Sequence, residues 1–204
     1  MSMFIQVIHG HVTDRTGVYD AFESWVRQLA PGAEGWLGTT AGVTDDDELI
    51  ALVRFESEDA AQRNSHRPEQ HQWWMDASKL FAGDATFHDS TESDTMLEGG
   101  SDEAGFVQVI QGRTSDPARL RELNRRSEEP LRQHRPDILG ATMAFHDTDR
   151  VTEAVYFTSE PEAREGERRA MPPEAEAVYR EEQEQLRDLR YLDITEPWLY
   201  SPAR

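Results

Sequence analysis

The 204-residue chain contains no cysteine. That absence excludes disulfides, thiolate zinc sites, iron–sulfur clusters and cysteine nucleophiles. Positive charge is also scarce: 21 lysines and arginines stand against 40 aspartates and glutamates, with Lys79 the single lysine. A formal net charge of −19 repels phosphate backbones and anionic lipid surfaces, so neither nucleic acid nor a membrane is an expected partner, and the acid excess reads as a solubility feature. No apolar run approaches the roughly 20 residues that span a bilayer, and the opening MSMFIQVIHGH lacks the basic and long apolar regions of a secretion signal. A cytoplasmic location is expected. No glycine-rich phosphate loop follows a strand, and no serine sits in a Gly-x-Ser-x-Gly elbow. The acidic runs TDDDE and REEQEQ read as a turn and a solvated helix face, not as catalytic carboxylate pairs.

What the chain does have is internal repetition. FIQVIHGHVTD at Phe4 to Asp14 matches FVQVIQGRTSD at Phe106 to Asp116, an offset of 102 that holds without a gap for roughly 60 positions. On that register Leu37, Gly38 and Thr40 meet Leu139, Gly140 and Thr142, and Val53, Phe55, Ser57 and Glu58 meet Val155, Phe157, Ser159 and Glu160. We expect a first repeat over 1–92, an acidic, glycine-containing linker over 93–104 and a second repeat over 105–204.

Each half reads as strand, helix, strand, strand, helix, strand. Met3 to His9 is an alternating β-branched run, and Asp14 or Thr16 can cap a helix whose apolar face is Val18, Phe22, Trp25 and Leu29. Asp116 before Pro117 is a stronger helix start in the second half. Strands over Trp36 to Val43 and Leu49 to Phe55 flank the turn. A helical segment from Ser57 to Phe81 is interrupted at Pro68, and a strand around Thr86 to Asp89 follows; PPEAEAVYREEQEQLRDL and RYLDIT close the second half. This order predicts an α+β fold of two tandem ferredoxin-like βαββαβ units, whose antiparallel sheets pack together as an intrachain α/β barrel.

The strand FIQVIHG, the element ALVRFESEDAAQRNSHRPEQHQWW and the closing FAGDATFHD together resemble the dimeric α/β-barrel superfamily, in its antibiotic-biosynthesis monooxygenase-like branch. The resemblance covers the first half well and the second mainly through its strands. It implies a barrel cavity that takes a small aromatic or hydrophobic molecule, with no bound cofactor, in a monomeric pseudo-dimer or a homodimer.

Strand periodicity assigns Leu49, Ala51, Val53 and Phe55, with Val151, Val155 and Phe157, to the face under the helices. Ile5 and Val7 are assigned there too. The opposite face is then expected to carry Phe4, Gln6, Ile8, Trp36, Thr40, Arg54 and His88, with Phe106, Gln108, Ile110, Thr142 and Tyr156, and the same alternation extends it to Tyr191 and Asp193. A mostly apolar interior with a few polar groups is what a small-molecule site looks like. Equally, Gln6 and Gln108 can simply satisfy each other.

The stretch NSHRPEQHQWW, Asn64 to Trp74, concentrates chemistry that the second copy lacks, since the offset of 102 places Gly166, Arg168, Pro173, Ala175 and Glu176 opposite Asn64, His66, His71, Trp73 and Trp74. His66 and His71 are five apart, with Pro68 between, and do not form a helical ligand pair. His9 and His11 share a strand face that His71 would have to approach. No metal site is expected. Haem-degrading relatives use a helix histidine, a nearby tryptophan and a first-strand asparagine; Gln6 stands where that asparagine belongs, which leaves haem binding through His71 as a third reading. The resemblance implies cofactor-independent oxygenation of a quinol-type aromatic, with Arg54, Asn64, Trp73 and Trp74 assisting and His88 or His71 as base. The competing reading is a noncatalytic small-molecule-binding or stress-associated protein. The tryptophans alone also fit helix packing, as the spacing of Trp74, Ser78 and Phe81 suggests.

Overall fold

The computed structural model describes residues 3–202. It resolves into two compact units, one built on the chain up to Glu92 together with the segment from Glu196, the other spanning Ser93–Thr195. In the first, β1 (Phe4–His11), α1 (Arg15–Gln28), β2 (Trp36–Val43), β3 (Glu48–Phe55), α2 (Glu58–Ser65), α3 (Pro68–Ala77) and β4 (Thr86–Ser90) follow in order. The second has β5 (Glu92–Leu97), β6 (Phe106–Arg113), α4 (Pro117–His134), β7 (Ile138–His146), β8 (Arg150–Phe157), α5 (Glu160–Arg168), α6 (Pro173–Gln185) and β9 (Arg187–Ile194). A short β10 (Trp198–Tyr200) belongs to the first sheet.

The sheet orders are β10-β2-β3-β1-β4 and β5-β7-β8-β6-β9, so each unit is ferredoxin-like with one added edge strand. The strands make two separate sheets, not the single closed sheet of a barrel. Both added strands differ from expectation. The acidic stretch read as a linker supplies β5, and the end of the second half supplies β10. Glycine admits both neighbours: a Cβ on Gly38, at φ +138°, would lie 2.6 Å from the Tyr200 carbonyl oxygen, and one on Gly140 would lie 2.1 Å from that of Gly99.

The helices begin where the sequence signals them. Asp14 accepts from the Gly17 amide and Asp116 from that of Arg119, while Ser57 and Ser159 cap α2 and α5.

Pairing register then sorts the faces and corrects one assignment. Phe4, Gln6 and Ile8 stand opposite Phe55, Val53 and Ala51, and Ile8, Leu49 and Ala51 pack with Val18 and Phe22 of α1. Gln6 and Gln108 therefore face the helices, whereas Ile5 and Val7 lie on the other face with Arg54 and Leu52. Both alternations of FIQVI are apolar, so the pattern alone could not choose between them. Tyr191 and Asp193 pair with Ile110 and Gln108 and are likewise on the helix side. Trp36 joins them because a bulge between Trp36 and Gly38 inverts the alternation of β2, placing its ring against Trp25.

Candidate functional site

In the first unit, indoles fill the layer between sheet and helices. Trp25, Trp36 and Trp73 pack among Phe4, Phe22, Val53 and Phe55, with Trp25 and Trp73 ring centroids 6.4 Å apart. Their N–H groups are satisfied: Trp73 donates to the Ala21 carbonyl at 3.0 Å, Trp36 to Thr39 and Trp25 to Gln70. The layer is an apolar core with its polar ends tied off.

The same layer of the second unit is hollow. At the offset of 102, Trp25 and Trp36 become Ser127 and Ile138; by the helix after Pro68, which restarts at Pro173, the offset has grown to 105. Trp73 thus stands opposite Val178, not Ala175, because three extra residues precede the second helix. These smaller side chains, with Gln108, Val155, Phe157 and Tyr179, line a cavity of about 530 Å³. That volume lies within the range of small-molecule sites.

Three glutamates line it, Glu153, Glu167 and Glu182, of which Glu167 pairs with Arg164. Glu153 projects from β8, the central strand, and is only 8% exposed; Glu182 projects from α6. On the two offsets their first-half counterparts are Ala51 and Ala77, both buried in the core. Neither Glu153 nor Glu182 has a hydrogen-bond or ion-pair partner among the described residues. Burial, reinforced by the negative charges of Glu182 and Asp94, pushes Glu153 from 4.5 up to about 8; burial alone pushes Glu182 up to about 7. One Asp94 oxygen is itself buried without a partner. At neutral pH the cavity wall therefore holds carboxylic acid that can ionise when a positive charge or hydrogen-bond donor compensates it.

The nearby arginines are occupied elsewhere. Arg135 grips Asp137 through Nε at 3.0 Å and Nη2 at 2.7 Å. Arg164 pairs with Asp193 and with Glu167, and Asp193 also accepts from Gln108 at 2.8 Å. Tyr179 and Tyr191, 47% and 52% exposed, stand at the cavity's edge.

Of the candidate catalytic and ligand-binding residues, Gln108 lines this cavity, and Ile110 and Tyr191, expected on the same face as Gln108, line it too. Gln6 and Gln108 each donate to an aspartate on the neighbouring strand of their own unit, Asp89 and Asp193 respectively. Arg54 and Thr40 do meet, Nη1 to Oγ1 at 2.7 Å, on the face of the first sheet away from its helices, where His88 also lies; Tyr156 takes the corresponding face of the second sheet. Asn64 is buried and accepts from Arg67 at 2.9 Å, tying α2 to the start of α3. Trp74 packs against Phe81 and Phe87. His71 is exposed on α3, on the opposite side of the sheet from His9 and His11, so these three do not converge. Sequence reading missed Glu153 and Glu182. The available signal was a glutamate between Val151 and Val155 on a strand face otherwise apolar.

No protein-family profile and no curated protein matches the chain. Solved structures do. A protein from Fusobacterium nucleatum that carries a provisional monooxygenase designation superposes with a TM-score of 0.77 at 8% identity, over 99% of this chain and 95% of that one. One from Lactobacillus acidophilus with the same provisional designation gives 0.72 at 10% identity, over 98% and 100%. The chain shares the fold of both of these proteins. An anthrone oxidase-like protein gives 0.64 at 8% identity, over 100% and 98%. At these identities the likeness concerns the fold. Both units of the chain take part, since the matched lengths are nearly complete.

Proposed function

We propose that the chain is a monooxygenase-like protein that binds a small aromatic or apolar molecule in the second-unit cavity, with Glu153 as its proton acceptor. The observation that carries this reading is Glu153 itself, a carboxyl on the central strand that lines a cavity of about 530 Å³ without a partner among the described residues. An unpaired acid in such a place is destabilising, which makes a functional role the economical explanation.

The reaction this arrangement supports is cofactor-independent oxygenation at an activated carbon. Ionised Glu153 accepts a proton from an acidic C–H, and the carbanion is oxidised by dioxygen; a CH2 group becomes C=O and one dioxygen yields one water, so atoms and electrons balance. Apolar walls keep the base poorly solvated and reactive. The fold likeness to an anthrone oxidase-like protein makes anthrone a reasonable probe substrate.

Oxygen consumption with anthrone is the test. Enzyme-dependent uptake of one dioxygen per anthrone, lost in Glu153→Gln and retained in His71→Ala, is the expected result. Uptake unchanged in Glu153→Gln would overturn the assignment of the base. Saturable binding without uptake favours the second reading, a noncatalytic small-molecule-binding protein, which the same cavity also supports.

A further inference from the structure

The chemistry of the cavity wall narrows the ligand. We propose that the second-unit cavity takes an organic amine, an aromatic or apolar body bearing one cationic nitrogen that seats against Glu153 and Glu182. This rests on the cavity reading above and names its ligand class.

Three observations carry it. First, Glu153 is more than nine-tenths buried, lines the cavity and has no partner among the described residues, and Glu182 faces the same space. Second, no cation among the described residues pairs with them. Arg135 is bidentate on Asp137 and Arg164 is held by Asp193 and Glu167, while His134 and Arg169, which also line the cavity, are exposed. No basic group contributes an attraction at either carboxyl. Third, the acids are not demanded by the fold, because Ala51 and Ala77 hold the corresponding stations in the first unit. A ligand cation would provide the missing countercharge, and Phe157, Tyr179 and Tyr191 provide aromatic surface for the same ligand. The net charge of −19 draws cations toward the protein. Two acids meeting one ammonium also leave a second carboxyl able to move a proton, so amine binding and the role of Glu153 are compatible.

The test compares charged and neutral isosteres. Calorimetry at pH 7 would measure phenethylamine and 2-naphthylethylamine beside the corresponding alcohols, on the full chain and on Glu153→Gln and Glu182→Gln variants whose unfolding midpoints are checked first. At least one amine is expected to bind tenfold or more tightly than its alcohol, with release of a proton as a carboxyl ionises, seen as a dependence of the heat on buffer ionisation enthalpy. Glu153→Gln is expected to remove most of that preference and to change the alcohol's affinity less than threefold. An alcohol that binds as tightly as its amine would overturn the amine assignment and leave the cavity reading standing. Failure of every amine and alcohol to bind would overturn both.

Discussion

Replacing Glu153 by glutamine keeps the shape of the side chain and removes its titration, so the stability difference between this variant and the parent isolates the burial of one acid. The folded-state pKa, about 8, lies above the ordinary 4.5. Below pH 4.5 the carboxyl is protonated in both folded and unfolded chains and its burial carries no ionisation penalty. As pH rises above 4.5 the unfolded chain releases the proton and the folded chain retains it, so stability falls until the folded group also ionises near pH 8. A tenfold change in proton affinity is worth about 1.4 kcal/mol, so the interval from 4.5 to neutrality makes this burial cost on the order of 3 kcal/mol at pH 7. That is a substantial part of the roughly 5–15 kcal/mol that holds a domain together. Urea unfolding of parent and Glu153→Gln at half-unit steps from pH 4 to pH 9 would follow the difference, and other titrating groups largely cancel between the two proteins. The variant should match the parent near pH 4, gain progressively, exceed it by a few kcal/mol at pH 8 and level off above that. A difference that does not change with pH would refute the buried-acid reasoning.

Other perturbations probe the scaffold. Trp73→Ala, which removes an indole packed against Phe22 and Trp25 and its bond to Ala21, should lower stability by about 3 kcal/mol in urea unfolding. Gly38→Ala should cost more than about 1 kcal/mol in thermal unfolding, because alanine resists φ +138° and its methyl meets the Tyr200 carbonyl. Val178→Trp places at the second-unit station the side chain that Trp73 supplies in the first. It should leave the far-ultraviolet circular dichroism unchanged and weaken 2-naphthylethylamine binding at least tenfold, and unaltered affinity would place the ligand elsewhere.

The scaffold was legible because its signals are local and occur twice. Asp14 and Asp116 mark helix starts, Pro68 and Pro173 restart helices, and the repeated Leu-Gly-x-Thr marks strands that tolerate a close neighbour only at glycine. Strands β5 and β10 were not legible. The sequence ESDTML is polar enough to read as solvated chain, and WLY is too short to show a period. Which face a strand presents failed where both faces are apolar, as in FIQVI, or where a bulge inserts a residue, as beside Trp36. The cavity was obscured by its construction. It arises where large residues give way to Ser127, Ile138 and Val178, and a sequence scanned for conspicuous chemistry passes over small side chains. The conspicuous residues, the Asn64 to Trp74 stretch, mostly settle into packing and capping in the first unit.

The two halves place opposite materials in the same layer, and the energetics of each identify its role. Burying an indole in the first unit removes apolar surface from water at about 25 cal/mol per Å², and an aromatic side chain carries 150–250 Å² of such surface, so each tryptophan contributes several kcal/mol at most. The second unit gives up that contribution at three stations and adds the cost of an uncompensated acid at Glu153. Nothing in the strand order requires this, since the first unit builds the same β2-β3-β1-β4 arrangement with alanine at the equivalent of Glu153. On the proposed reading, a ligand that restores apolar contact and supplies a charge or hydrogen bond to the carboxyl would recover the difference. Ligand binding should therefore stabilise the protein through the second unit, and in hydrogen exchange 2-naphthylethylamine should increase protection in α4, α6 and β8 while leaving α1 and α3 unchanged. Protection confined to the first unit would reverse the assignment of roles.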